Sequence, residues 1–91
     1  MLQEMLKKLI EHYKKGYESI EAFNNVYFIC AEICFRFSIY GNEIVLEIAN
    51  SENDAKLNWF EDTEYYNEAD DFETIIEKSD KWVTDSLSNI A

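Results

Sequence analysis

Proline is absent from this 91-residue chain, and glycine and cysteine occur twice each. Without a proline- or glycine-rich stretch there is no flexible linker, and a chain of this length encloses one core that buries about two thirds of its unfolded surface. One domain over residues 1–91 is expected. The two thiols, Cys30 and Cys34, lie within an apolar stretch and read as packed, reduced side chains. A metal site would need more Cys or His ligands, and His12 is the sole histidine. Long hydrophobic runs are also missing: the longest, Val26–Ala31, spans six residues, against the roughly 20 of a membrane-spanning helix. The opening Met1-Leu2-Gln3-Glu4-Met5-Leu6-Lys7-Lys8 interleaves charge with apolar residues, unlike a signal peptide. A cytoplasmic chain is expected.

Positive charge is scarce beside negative. Eight Lys and Arg face nineteen Asp and Glu, a formal charge of −11. Residues 1–42 are balanced, with five acids and five bases, so the excess lies wholly in residues 43–91, where fourteen acids meet only Lys56, Lys78 and Lys81. Such a half projects a negative field that repels nucleic acid and anionic membrane and attracts basic protein surfaces.

What is present is apolar and aromatic enough to fold, at 47% hydrophobic and 15% aromatic residues. Leu2, Met5, Leu6, Leu9, Ile10, Tyr13 and Tyr17 recur at helical spacing, with Glu4–Lys8 and Glu11–Lys15 as i,i+4 pairs and Gly16 as a stop. His12 falls at the edge of the apolar stripe and reads as partly packed, since no nucleophile can be placed beside it. From Val26 to Tyr40 the period becomes two, placing Tyr27, Ile29, Ala31, Ile33, Phe35, Phe37 and Ile39 on one face of a long strand, or of two strands broken by a bend. Gly41-Asn42 predicts a two-residue hairpin turn. Setting Tyr40 opposite Glu43 then pairs Ile39 with Ile44, Phe37 with Leu46 and Phe35 with Ile48 on one face, and Arg36 with Glu47 on the other.

Lys56–Phe60 predicts a short third strand with Leu57 and Trp59 inward. Phe72, Ile75, Ile76, Ser79, Trp82, Val83, Ser86, Leu87 and Ile90 form the apolar stripe of a last helix from about Glu68 to Ile90, capped by Asn67 or Asp70. The expected fold class is α+β: an N-terminal helix, an antiparallel hairpin or three-stranded meander, and a C-terminal amphipathic helix.

Catalytic and metal chemistry find little support. Residues 50–61 place oxygens as in a calcium loop, but Ala55 stands where the sharp turn needs glycine and Asn50 where aspartate is usual. Adjacent acids such as Asp70 and Asp71 read as a hydrated face, with no phosphate loop, nucleophile motif or nearby base to hold an anionic substrate. A non-enzymatic protein without cofactor is expected. Trp59–Asp71 is different, because it interleaves aromatics with unpaired acids: Trp59, Glu61, Asp62, Glu64, Tyr65, Tyr66, Glu68, Asp70 and Asp71 form the candidate partner-binding surface. Aromatics are favoured interface anchors, and the carboxylates beside them steer a basic partner or stand where phosphates would lie. The bland alternative is a solubilising loop.

Small size, acidity, the turn sequence Gly41-Asn42-Glu43-Ile44-Val45 and the following Ser51-Glu52-Asn53 resemble the small phage-encoded anti-CRISPR proteins that block a nuclease by mimicking DNA. That resemblance implies an inhibitor occupying the nucleic-acid site of a basic nuclease. The rival expectations are an immunity protein or antitoxin neutralising a basic toxin, and a non-catalytic interaction domain.

Overall fold

The computed structural model describes residues 2–67 and 69–90, apart from the side chains of residues 89 and 90. Its element order is helix α1 (Leu2–Gly16), strands β1 (Glu18–Ala22), β2 (Asn25–Cys30), β3 (Ile33–Tyr40) and β4 (Glu43–Ala49), helix α2 (Glu52–Lys56), strand β5 (Asp62–Asn67) and helix α3 (Phe72–Ile90). The strands form one antiparallel sheet in chain order, so the α+β class holds with five strands where two or three are expected.

The central hairpin has the predicted register. Tyr40 pairs with Glu43, Ile39 with Ile44, Phe37 with Leu46, Phe35 with Ile48 and Arg36 with Glu47. Gly41, at φ 61, supplies the positive dihedral the first turn position needs. Because side chains alternate, this register sends Phe35, Phe37, Ile44, Leu46 and Ile48 to one face, where all five are buried. Helices α1 and α3 cover that face: Leu9 and Tyr13 from α1 and Ile75 and Val83 from α3 join the same core. Tyr13 sits at its centre, its ring 5.2 Å from Phe37, 5.6 Å from Phe35 and 5.8 Å from Phe28. Its hydroxyl donates to Asp80 Oδ1 at 2.6 Å and contacts Ser79 Oγ at 2.6 Å, which ties α1 to α3.

The structure departs from the sequence expectations, or adds to them, at several points. First, Val26–Tyr40 is two strands, as the second alternative had it, but they do not share one apolar face. The turn at Ala31-Glu32 opposes Cys30 to Ile33 and Phe28 to Phe35, so parity switches across it: Phe28 joins the helix-covered face, while Tyr27 and Ile29 turn to the other. Cys30 and Cys34 thereby fall on opposite faces, each a free thiol. Second, Glu18–Ala22 is an edge strand that period-two apolarity does not reveal. It pairs Ile20 with Tyr27 across a Phe23-Asn24 turn in which both residues have positive φ, 53° and 63°, the type I′ pattern. Third, Lys56–Phe60 is not a strand. Ser51 Oγ accepts the Asp54 N–H at 3.1 Å to start α2, and Asn58 at φ 59 ends it, its N–H bonding Ala55 O and that of Trp59 bonding Asp54 O. Leu57 and Trp59 consequently point outward, 73% and 64% exposed.

Fourth, α3 starts later than expected. Asp71, not Asn67 or Asp70, caps it, accepting the Thr74 N–H at 2.8 Å. Asn67 Oδ1 instead accepts the Ala69 N–H in the preceding turn. On α1, the ion pairs of the described residues include neither Glu4–Lys8 nor Glu11–Lys15; Lys14 reaches across to Glu21 at 3.4 Å. His12 is exposed, with its ring edge-on to Tyr13 and Phe72. No helix among the described residues is long and apolar enough to cross a membrane.

Candidate partner-binding surface

The acidic-aromatic stretch becomes an edge strand, and this divides its side chains. β5 pairs with β4 so that Tyr66 opposes Ile44, Glu64 opposes Leu46 and Asp62 opposes Ile48, all on the helix-covered side. Tyr65 opposes Val45 and Thr63 opposes Glu47 on the other side. The adjacent tyrosines therefore have opposite fates: Tyr66 is 1% exposed and Tyr65 is 54% exposed. Tyr66 packs in the core and its ring is closed to a partner. Its hydroxyl has no hydrogen-bond partner among the described residues, and burial, reinforced by Glu64 and Asp70, pushes its pKa up.

The remaining candidates spread around this edge. Asp62 and Glu61 are exposed, and the Glu61 N–H extends the sheet by bonding Ile48 O at 2.9 Å. Asp70 is 3.7 Å from Lys78 Nζ, a partly exposed pair. Asp71 is exposed at the start of α3, where hydrogen bonds from the Thr74 hydroxyl and N–H hold its carboxyl below its ordinary value. Trp59 stands exposed just past α2. Glu68 lies outside the described residues.

The second face of the sheet holds residues that sequence reasoning left out of the site. One half of it is covered: α2 lays Ala55 against Tyr27, Cys34 and Ala49, and Phe60 packs beside them. Burial pushes the Cys34 thiol up to about 11, so it is protonated near neutral pH. Next comes Arg36, whose Nε donates to Glu47 Oε1 at 3.1 Å and whose guanidinium carbon lies 4.5 Å from the Phe60 ring centroid. The other half is open. Tyr40, 76% exposed, and Tyr65 line a shallow depression of about 430 Å³ with Arg36, Ser38, Val45 and Thr63. The signal for Tyr40 was available: in the predicted register it has the parity of Arg36, away from the apolar face.

Electrostatically the surface is unbalanced. Among the described residues, ion pairs engage Glu47, Glu52 and Asp70 from the acidic half, and none engages Glu43, Glu61, Asp62, Glu64 or Asp71. No group of three or more His, Cys, Asp or Glu among the described residues is placed to hold a metal ion, and residues 52–56 of the calcium-like segment are helical. No protein-family model, curated protein or solved structure matches this chain.

Proposed function

We propose that this chain is a non-catalytic acidic binding protein that occupies a basic, nucleic-acid-binding surface of a partner, as a DNA-mimicking or anti-CRISPR-like inhibitor of a nuclease does. One observation carries the reading: Glu61, Asp62, Glu64 and Asp71 surround the β5 edge without an ion pair among the described residues. Apart from the cap that Asp71 supplies to α3, carboxylates left unneutralised by their own fold add little to its stability, and their field is available to a partner. Exposed Trp59, and Tyr65 on the opposite face of the same edge strand, supply the large, stiff contact area that charge alone lacks. A nuclease's nucleic-acid site has the complementary chemistry, Lys and Arg spaced to meet phosphates.

The test combines capture with competition. The immobilised chain is offered a lysate of its native host, and the retained protein is then challenged with duplex DNA and with rising salt. The expected partner is a nucleic-acid-binding protein that DNA displaces, with an on-rate that falls as salt rises. Neutralising Glu61, Asp62, Glu64, Asp70 and Asp71 to Gln and Asn should weaken capture while the fold persists, whereas reversing Glu4 or Glu11 on the charge-balanced first helix should not. Equal retention by the neutralised chain, or a complex that DNA leaves intact, overturns the proposal.

A further inference from the structure

Beyond the reach of α2 and Phe60, the second face offers more than a negative field. Tyr65 on β5 pairs with Val45 on β4, Ser38 on β3 pairs with it from the other side, and Tyr40 lies diagonally one same-face step along β3, opposite Glu43. Val45, 4% exposed, is the apolar residue at the base of the depression they line. Two strand spacings separate the tyrosine backbones laterally by roughly 10 Å, and both residues line the one depression of about 430 Å³. Among the described residues neither ring forms an aromatic pair and neither hydroxyl a hydrogen bond, so both are uncommitted.

Charge differs between the two ends of this depression. At the α2 end, Arg36 is neutralised by Glu47 and stacked on Phe60. Past the far end, adjacent to the lining but not part of it, Glu43 stands opposite Tyr40 on one side and Asn67 on the other, with no ion pair among the described residues. An apolar floor, two exposed ring faces and an unpaired carboxylate together complement a long aliphatic stem ending in a planar cation.

We infer that this depression receives an arginine side chain of the basic partner, its stem over Val45 and its guanidinium against the rings of Tyr40 and Tyr65 and the carboxylate of Glu43. The inference rests on the reading that the partner is basic, and it places the anchor on the open sheet face instead of among the acids. Arginine fits better than lysine because a guanidinium lies flat on a ring, forks onto a carboxylate and sheds water more readily than an ammonium. An anionic occupant is opposed by the −11 net charge.

Two peptides of equal charge, hexa-arginine and hexa-lysine, separate this site from general attraction, since Coulomb forces draw both alike. Titration followed by amide NMR is expected to show the arginine peptide binding about tenfold tighter, with shifts at Ser38, Val45 and Tyr65. The Tyr40→Ala/Tyr65→Ala variant keeps the net charge, and circular dichroism checks that it keeps the fold. It should bind both peptides at the lysine peptide's level, and Glu43→Gln should lose part of the preference. Equal affinity of the wild-type chain for the two peptides, or an arginine preference that survives the double tyrosine variant, overturns the inference. Failure of the nuclease reading shows elsewhere, in capture by the chain neutralised at Glu61, Asp62, Glu64, Asp70 and Asp71.

Discussion

The two faces of the sheet are built from the same strands by the same alternation, yet one is sealed and the other half open. On the sealed face, two helices of 15 and 19 residues lie over Phe28, Phe35, Phe37, Ile44 and Leu46. On the other, a five-residue helix and Phe60 reach only Tyr27, Cys34, Ala49 and their neighbours. The difference is one of covering length. A helix rises about 1.5 Å per residue, so five residues span about 7.5 Å, less than two strand spacings of about 4.8 Å each. Whatever lies beyond must be polar, or must be left for something else to cover. Arg36, Glu47, Ser38 and Thr63 meet the first condition, and Tyr40 and Tyr65 meet the second.

The comparison breaks most sharply through the core. Phe37→Ala, on the sealed face, is expected to cost about 3–5 kcal/mol in denaturant unfolding. Tyr65→Ala on the open face, with its ring half in water, should cost under about 1 kcal/mol. Similar losses at the two positions would show that the open face is closed in solution.

A next, smaller effect concerns the phenols beneath the helices. Tyr13 and Tyr66 are both raised from the ordinary value of 10.0, chiefly by burial. A raised pKa means the folded state holds its proton where the unfolded state has lost it. Their contribution is therefore complete below about pH 10 and lost as pH rises beyond it. Thermal melts across the alkaline range should show this decline, and Tyr66→Phe should reduce it. At neutral pH, Tyr13→Phe should cost about 1–2 kcal/mol, because its hydroxyl bonds to Asp80 and Ser79 are real. Tyr66→Phe should be neutral or stabilising there, because its hydroxyl has no hydrogen-bond partner among the described residues. Equal losses in the two variants would contradict the distinction.

The smallest effect lies at the sheet's first edge. Phe23 holds a left-handed φ of 53° while 74% exposed, where asparagine or glycine is favoured. Phe23→Asn should raise stability by about 0.5–1 kcal/mol. A loss would mean that the Phe23 ring packs against the sheet in solution.

The helices and the central hairpin were legible because their signals are local. Leu9 and Tyr13 recur at helical spacing, and one assumption about Gly41-Asn42 aligned the pairs from Tyr40–Glu43 to Phe35–Ile48 at once. The strand expected at Lys56–Phe60 failed because two short-range devices, the Ser51 cap and the left-handed Asn58, outweighed a brief apolar alternation. Strand β1 escaped notice because Glu18, Ser19 and Glu21 dilute its pattern, and its partner β2 supplies the order. Of the candidate site, the excess of acid was visible in composition alone; the division of Tyr65 from Tyr66 was not.

By itself, the sequence determined quantities that neighbours along the chain decide: the two amphipathic helices, the central register and a charge imbalance confined to residues 43–91. Only the tertiary structure decided which face each strand turns to water. A two-residue turn such as Ala31-Glu32 reverses parity, so Tyr27 and Phe35 part company despite their shared spacing. Exposure on the second face then depends on how far α2 and Phe60 extend. The hairpin register alone turns Tyr40 to the second face, but that its ring and that of Tyr65 stay uncovered there depends on where α2 and Phe60 stop, and no local pattern encodes that.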